Sequence, residues 1–464
     1  SYKSKLWLGL SWGQEAGKLA TNLFPYGHRV ECLTIEETVK KTRDLINDGA
    51  DTIFEGAFEY QNIIVRPDIF TKTKNGTWHI IEVKSKTGLD SRYYYDLGIQ
   101  YFVIRNIGIK ISKATIVHIN TDYSKWIKLD LKKMFRPQDV TKEVLNKQKS
   151  IKNKINSQKM VLEGIKPDVE IGLRCLDPNM CPYTSLCLPS EPVFELKRLT
   201  NQRKIEFYRQ GIVRMKDLPL EEVSKFALDV SNWVQYKCAV DNEKEFFEPD
   251  HIKNFLDDFF NPLYFFKIYY DNSPIPYFYK TRPYESIPYL FSFGRWEKGK
   301  IVGEKQTLID FNNLNGYDEM CEKILTTFPD EGCFVSFENP SNPLAKELRK
   351  WSAKKPSHRR KIEHILFNFR DIGFPFMKKN YYLSSFRGSH SESSLITNMF
   401  PALVKEQEGL IKEALKDKNK PPMEFRFGKN REVSIKNKKY FKDFGRLGLK
   451  GIRLLFEELK SKSN

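Results

Sequence analysis

The spacing of apolar and polar residues divides this chain of 464 residues into three regions. Residues 1–190 mix helical and strand periods, residues 191–245 follow a helical period, and residues 246–464 are dense in aromatic residues. A chain of this length is long enough for several domains, each with its own core. We therefore predict an α/β protein with a mixed sheet flanked by helices, a small helical connector and a second α/β domain, with these boundaries.

The first region carries the clearest local signals. Residues 34–47 open with a Thr-x-x-Glu capping box and stop at Gly49, which predicts a helix with Ile35, Val39, Leu45 and Ile46 as its apolar residues. The runs TIFEGAFEY, NIIVRPDIF, WHIIEVK and ATIVHIN predict strands, with a hairpin near Asn75-Gly76. Residues 93–106 predict a helix that crosses over to a parallel strand.

The hairpin raises a question of register. Glu82 and Lys84 point to the same face of a strand because side chains alternate. A strict two-residue turn at Asn75-Gly76 would pair Asp68 with Val83, on the other face. We therefore predict a three-residue loop or a bulge that brings Asp68 onto the face of Glu82 and Lys84.

These residue types suit the cleavage of phosphodiester bonds. The Asp68 and Glu82 carboxylates and the Val83 carbonyl would form an oxygen-rich site for Mg²⁺ or Mn²⁺. A lysine beside such a site can orient or deprotonate water and offset charge that develops on phosphorus, which is the role predicted for Lys84. The alternative is a half-exposed hairpin whose charges are solvated.

The other regions contain patterns with more than one interpretation. The 191–245 segment predicts either a helix-hairpin module that contacts nucleic acid or a simple helical connector. The aromatic run at 262–294 predicts two buried strands, with base stacking as the alternative. Residues 141–160 hold six Lys and one Glu around the apolar stripe of Val144, Ile151 and Ile155, and predict a packed helix whose basic outer face is either solvated or follows DNA.

Composition narrows the classes of function. A formal net charge of +18 predicts an anionic partner, with nucleic acid favoured over an acidic protein or a membrane surface. The sequence has no run of about 18 apolar residues and no signal-peptide pattern, so we expect a soluble, cytoplasmic and nucleoid-associated protein without a membrane partner. Seven cysteines in this length argue against a disulfide framework.

The first region resembles the PD-(D/E)xK nuclease superfamily, in its RecB-like and CRISPR-adaptation-type branch. Arg66-Pro67-Asp68 matches the first part of the motif, Glu82-Val83-Lys84 the second, and Gln100 the downstream helix glutamine. Glu55 stands where an upstream acidic residue is often found. The resemblance implies a restriction-endonuclease-like fold in which Asp68, Glu82 and the Val83 carbonyl bind the metal. Lys84, Gln100 and Glu55 would complete the catalytic set.

The same branch implies a metal cluster held by cysteines. Cys175, Cys181 and Cys187 follow the nuclease-like core at six-residue intervals, where family members hold a 4Fe-4S cluster. The family's fourth cysteine would fall near Tyr2, so Cys32 is the remaining N-terminal candidate. Zinc is the alternative occupant, and a chance group of thiols is the alternative without a metal.

The third region resembles a DnaQ-like exonuclease domain of ribonuclease-H fold, through TRPYESIPYLFSFG and FRGSHSESSLITNMFPAL. Where that family has Asp-x-Glu, this chain has Lys267, Ile268 and Tyr269. Other positions where that family has polar or acidic residues hold Phe337, Ser341 and Leu447. Of the family's acidic residues, Asp371 is retained, and Asp271 lies outside the motif position. A two-metal site needs several carboxylates, so the resemblance implies an inactive exonuclease fold that binds nucleic acid or a protein partner.

Two functions therefore compete. The first is a metal-dependent DNA nuclease in DNA processing, repair or defence against mobile elements, with the third region as a platform for nucleic acid or a partner. The second is a catalytically inactive nucleic-acid-binding scaffold within a larger nucleoprotein complex.

Overall fold

The computed structural model describes residues 12–164, 169–177, 180–188, 192–196, 199–226, 230–338, 343–415 and 431–463. In this part of the chain, helices pack on two larger mixed sheets, and two further pairs of strands form short ribbons. The predicted α/β class, with mixed sheets and flanking helices, is confirmed.

The first region is built on a sheet of order β1-β2-β5-β6-β7-β8. Its strands are β1 (His28–Arg29), β2 (Thr52–Phe54), β3 (Phe58–Tyr60), β4 (Ile63–Val65), β5 (Ile69–Lys72), β6 (Trp78–Lys84), β7 (Ile111–Ile119) and β8 (Phe135–Asp139). Its helices are α1 (residues 12–20), α2 (Ile35–Asn47), α3 (Ser91–Asn106), α4 (Leu131–Met134) and α5 (Thr141–Glu163). Strands β2, β5 and β6 are antiparallel, and α3 connects β6 to the parallel strand β7, which confirms the predicted crossover.

The hairpin between β5 and β6 has the predicted three-residue loop. Thr73 and Thr77 close it, with the Thr73 N–H donating to the Thr77 carbonyl at 2.8 Å. Gly76 has φ +75°, a left-handed conformation that suits this last loop position. Ile69 lies opposite Ile81, so the same register places Asp68 opposite Glu82.

Two details of this region differ from the sequence predictions. The first two predicted strand runs are each broken, and their inner halves pair as the separate ribbon β3–β4. Helix α2 has the predicted capping box, yet Ile35 is 50% exposed and the buried face carries Thr38 and Thr42. Thr42 is buried because its hydroxyl accepts a hydrogen bond from the Ala57 N–H at 2.9 Å, which satisfies both groups.

The middle region is helical in its described residues, as predicted. The short helix α6 (Thr184–Cys187) lies just before it, and the region itself contains α7 (Asn201–Arg209), α8 (Leu220–Phe226) and α9 (Val230–Val240). A small core that includes Phe194 and Phe207 holds these elements together, and Gly211 turns the chain after α7 with φ +84°.

The third region has a sheet of order β12-β11-β10-β13-β14. Its strands are β9 (Glu245–Phe247), β10 (Leu263–Asp271), β11 (Ile287–Glu297), β12 (Lys300–Leu308), β13 (Cys333–Ser336), β14 (Phe369–Asp371) and β15 (Tyr381–Leu383). Its helices are α10 (Pro249–Asp257), α11 (Gly316–Thr327), α12 (Leu344–Lys354), α13 (Arg359–Phe367), α14 (Phe374–Lys378), α15 (Glu392–Met399), α16 (Pro401–Leu415) and α17 (Arg431–Lys462). Strand β10 is antiparallel to β11 and parallel to β13, which is parallel to β14.

Both faces of this second sheet are covered. Phe265 points into one core and Phe266 into the other, as expected for adjacent strand residues. The aromatic run thus forms two buried strands, as predicted. The basic C-terminal helix α17 is amphipathic and buries Leu449, Ile452 and Leu455. Among the described residues, no helix has both the length and the apolar character needed to cross a membrane.

Candidate active site

Asp68 and Glu82 lie across the β5–β6 pair at the end of the hairpin farthest from its turn. Asp68 directly precedes β5, and its Oδ2 accepts a hydrogen bond from the Val83 N–H at 2.6 Å. The N–H and C=O of one strand residue point toward the same neighbouring strand. The Val83 carbonyl therefore faces the Asp68 carboxylate, and the Glu82 carboxylate is a charged neighbour of Asp68.

Lys84, the last residue of β6, joins this group to helix α3. Its Nζ lies 2.9 Å from Glu82 Oε1 and 3.2 Å from Asp96 Oδ2, and it also stands over the Tyr93 ring at 5.2 Å from the centroid. Burial lowers the pKa of Lys84, but the two carboxylates outweigh burial and raise it above the ordinary value. The side chain is therefore a cation near neutral pH, which favours an electrostatic role over that of a base.

Gln100 approaches Glu82 from the same helix. Its Nε2 donates to Glu82 Oε2 at 2.9 Å, so both oxygens of Glu82 are engaged. Gln100 is 8% exposed, and its Oε1 finds no hydrogen-bond partner among the described residues. A buried carbonyl oxygen of this kind is suited to accept a hydrogen bond from water or substrate.

Glu55 is the third carboxylate near the pair. Its backbone N–H donates to the Asp68 carbonyl at 3.3 Å, and it has φ +57°, a conformation uncommon for a residue with a side chain. Its carboxylate lies 3.9 Å from Arg66. Burial raises the pKa of Glu55, Arg66 and Arg29 lower it, and Glu82 raises it further.

The electrostatics of the site favour a bound cation. Burial, and then the nearby Glu82, raise the pKa of Asp68 to about 8, although its hydrogen bond from Val83 acts in the opposite direction. A divalent cation would relieve this repulsion, and two carboxylates with a backbone carbonyl are donors that Mg²⁺ and Mn²⁺ accept. The donor set therefore fits such a metal. Among the described residues, no group of three or more His, Cys, Asp or Glu side chains is arranged to hold a metal ion, so Glu55 does not complete a three-carboxylate set.

Sequence reasoning missed Asp96 and Tyr93. Together with Gln100 they follow the i, i+3, i+7 spacing of one helix face, and all three contact Lys84 or Glu82. The sequence signal that could have identified Tyr93 and Asp96 is this helical spacing, counted back from Gln100.

The predicted cysteine cluster has less support. All seven cysteines lie in the described part of the chain and are free thiols, with Cys32 and Cys187 exposed. The Cys181 N–H donates to the Cys175 carbonyl at 2.8 Å, yet the described residues do not gather the three thiols into a ligand group. The iron-sulfur or zinc site of Cys175, Cys181, Cys187 and Cys32 stays a prediction.

The third region contains a second group of charged residues. Lys267, in the middle of β10, forms a close ion pair with Glu392 at the start of α15. Asp371 ends β14, and its Oδ1 accepts hydrogen bonds from the Glu338 and Gly373 N–H groups, both at 2.9 Å. Burial raises the pKa of Asp371, these two hydrogen bonds lower it, and Glu392 raises it. Glu338 and Glu392 are thus acidic neighbours of Asp371 that sequence reasoning missed.

The other positions singled out in this region are nonpolar or lie elsewhere. Phe337 and Leu447 pack against the apolar core on one face of the sheet, and Tyr269 is half-buried with its ring against Phe444 of α17. Asp271 is buried at the end of β10, where its charge contributes to a raised pKa of Glu15, after burial and against a hydrogen bond from Tyr277. Ser341 lies outside the described residues.

Comparison with known proteins gives one match. Residues 270–391 match a family model described as a domain of unknown function, DUF2779. The match covers most of the third region and does not reach Asp68, Glu82, Lys84 or Gln100. No curated protein matches the chain.

Proposed function

We propose that the first region is a metal-dependent deoxyribonuclease of PD-(D/E)xK type. The observation that carries this proposal is the hairpin register, which sets Asp68 opposite Glu82 with Lys84 on the Glu82 face. The fold is consistent with this class, because three antiparallel strands are followed by a crossover helix and a parallel strand. The motif residues thus lie at the ends of the two central strands of a sheet.

The residues have distinct roles in the proposed reaction. Asp68, Glu82 and the Val83 carbonyl would hold Mg²⁺ or Mn²⁺, which supplies Lewis-acid activation of water and of the scissile phosphate. Lys84 places a positive charge where negative charge develops on the phosphoryl oxygens. Gln100 holds Glu82 through Nε2 and offers Oε1 to orient the attacking water. Glu55 adds negative charge that strengthens cation binding.

The third region serves in this proposal as an inactive, ribonuclease-H-like platform. Its sheet has its first strand, β10, in the centre, an antiparallel second strand on one side and parallel strands on the other, which supports that fold. The Lys267–Glu392 ion pair supports the loss of its metal chemistry, because a lysine ammonium already compensates the acidic group.

DNA is the substrate that the charge distribution favours. The basic helix α5 packs on α3, and Lys147 and Lys154 both stand over Tyr95, at 5.0 and 3.9 Å from the ring centroid. Tyr95 lies on the side of α3 that packs toward α5, so these cations form a basic surface on the first region that would contact a phosphate backbone.

The test is cleavage of end-labelled single- and double-stranded DNA with Mg²⁺ or Mn²⁺. We expect the native chain to cut and Lys84→Ala to lose roughly 100-fold or more in rate, as expected for a group that stabilises transition-state charge. Lys86→Ala is the matched control, because Lys86 is exposed and only two residues away.

The second candidate function is a nucleic-acid-binding scaffold without catalysis. It is favoured by the described residues' lack of a three-carboxylate group and by the compensated acidic residues of the third region. Retained, salt-dependent DNA binding, together with no cutting by the native chain under either metal, would establish the scaffold in place of the nuclease.

A further inference from the structure

The loop between β10 and β11 reaches from the third region to the candidate active site. Ile275 is 5% exposed and packs in the same core as Ile81 and Val83 of strand β6. The Tyr277 hydroxyl donates to Glu15 Oε1 on α1 at 2.6 Å. This loop, residues 272–286, is therefore docked onto the strand that carries Glu82 and Lys84.

Tyr284 makes the contact closest to the site. Its hydroxyl donates to the carbonyl of Ser85, the residue that follows Lys84. The tyrosine is itself held in place, since its N–H donates to the Ser273 carbonyl at 2.8 Å and its backbone has φ +61°. A left-handed backbone at a bulky residue is costly and is retained where the surrounding structure fixes it.

The end of β6 needs such a contact. On one side, β7 remains hydrogen-bonded to the residues that follow β6, since the Ile119 N–H donates to the Lys86 carbonyl at 3.1 Å. On the other side, the partner strand β5 begins at Ile69, so its described pairing with β6 ends at Ile81. The Asp68 side chain adds one more hydrogen bond, from the Val83 N–H. Beyond Val83, Tyr284 takes the place of a strand partner.

We propose that Tyr284 is a positioning residue for Lys84, supplied to the nuclease site by the third region. By fixing the Ser85 carbonyl, it holds the last residue of β6 so that the Lys84 ammonium lies between Glu82 and Asp96. The third region then completes the active site of the first, and the loop is part of the segment that matches the domain of unknown function. This inference rests on the proposed nuclease function.

The variant Tyr284→Phe removes the hydroxyl and keeps the ring. We expect its single-turnover cleavage rate at saturating DNA to fall about tenfold, because small displacements of a charged catalytic group are costly. The Kd for DNA and the thermal midpoint should equal those of the native chain. Tyr279→Phe is the matched control, because Tyr279 is in the same loop and its ring packs on Trp126, and it should cut at the native rate.

Two further measurements separate positioning from general structural damage. In a Lys84→Ala background, Tyr284→Phe should cause no additional loss, since the residue acts through Lys84. Hydrogen exchange should be faster in Tyr284→Phe at residues 84–87 and unchanged on β10.

The outcomes are distinguishable. A native chain that cuts, with Tyr284→Phe equally fast, would overturn the positioning role and leave the nuclease intact. A tenfold loss that persists in the Lys84→Ala background would also overturn it. If the native chain does not cut, the proposed nuclease function fails and the positioning role in catalysis fails with it. Unchanged hydrogen exchange at residues 84–87 in Tyr284→Phe would show that Tyr284 does not fix the end of β6.

Discussion

The two larger sheets each carry acidic residues and a lysine, yet they compensate the acidic charge in different ways. In the first region, Lys84 lies at the end of β6 and is shared between Glu82 and Asp96, while Asp68 keeps acidic neighbours and a raised pKa. In the third region, Lys267 lies in the middle of the central strand and pairs with Glu392. Both sites thus hold an internal ammonium and an aspartate with a raised pKa, so they differ in where the lysine lies and which carboxylates it pairs with, rather than in the presence of a cation.

The aspartates of the two sites also differ in the backbone hydrogen bonds that they accept. Asp68 accepts one described backbone hydrogen bond, from Val83, whereas Oδ1 of Asp371 accepts two, which tie the end of β14 to Glu338 and Gly373. Asp371 is therefore a structural acceptor that joins two strand ends. The comparison shows that the presence of an acidic residue indicates a metal site only together with what surrounds it.

The largest expected effect is the loss of cleavage when Glu82 becomes neutral. Glu82→Gln keeps the side-chain shape and removes a metal ligand, so we expect cleavage to fall by roughly 1,000-fold, at the upper end of losses for one preorganised group. The measurement is the single-turnover rate on labelled DNA at saturating Mn²⁺. Glu59→Gln, an exposed glutamate on β3, is the control and should keep the native rate. Equal rates for Glu82→Gln and the native chain would remove Glu82 from the site.

The second largest expected effect is a loss of stability when Lys267 of the third region is removed. Lys267→Ala leaves Glu392 uncompensated in a half-buried position, so we expect a loss of about 2 kcal/mol in the free energy of unfolding, less than for a fully buried pair. The DNA cleavage rate should not change. Chemical denaturation gives the stability, and Lys300→Ala, an exposed lysine on β12, is the control. A drop in cleavage rate at native stability would instead place Lys267 in the catalytic machinery.

A third prediction compares basic surfaces. The double variant Lys147→Ala and Lys154→Ala removes two cations of the basic helix α5, and should weaken DNA binding about tenfold and lower the slope of log K against log salt by about 2, since each phosphate contact contributes ~0.9. The control pair is Lys40→Ala and Lys41→Ala on α2, both exposed. Binding titrations over a range of salt concentrations measure the slope. Equal losses from both pairs would mean that the net charge alone attracts DNA.

Much of the fold follows from the sequence for identifiable reasons. The three-residue hairpin loop was predictable because the two-residue alternative would have put Asp68 on the wrong face, and Gly76 supplies the left-handed loop position. Helix α5 was predictable because Val144, Ile151 and Ile155 recur at helical spacing. The acidic residues next to Asp371 were not, because Glu338 and Glu392 reach Asp371 only through tertiary packing.

The remaining misses have a common physical cause. Thr42 lies on the buried face of α2 because its hydroxyl satisfies the distant Ala57 N–H, and the Thr38 hydroxyl beside it donates to the Thr34 carbonyl. A prediction based on hydrophobic periodicity does not detect such buried hydroxyls. The docking of Tyr284 on Ser85 joins residues 199 positions apart, so it depends on how two regions of the chain pack together. Local patterns specify elements and register, whereas contacts between regions depend on surfaces that only the folded chain brings together.

The smallest predicted effect sharpens the comparison of the two aspartates through pH. Without metal, the folded-state pKa of Asp68 is raised to about 8, above the ordinary value of 3.8. Below pH ~4 the carboxyl is protonated in the folded and unfolded states, and it costs no stability. As the pH rises from about 4 to 8, the unfolded state loses this proton before the folded state does, so the native fold is progressively destabilised.

Asp68→Asn removes this penalty while keeping an oxygen for the Val83 N–H. In EDTA, the variant should be more stable than the native chain by on the order of 1 kcal/mol at pH 8 and by much less at pH 5, because the folded state keeps a proton that the unfolded state has lost, and keeping it costs more with each pH unit up to the folded pKa. Thermal melts at the two pH values measure this. Asp371→Asn is the comparison, and it should be destabilising at both pH values because both N–H groups bound by Oδ1 would meet a neutral amide oxygen, a poorer acceptor than a carboxylate. Greater stability of Asp68→Asn with Mn²⁺ present would contradict metal binding at Asp68, because a bound cation stabilises only the chain that keeps its ligand.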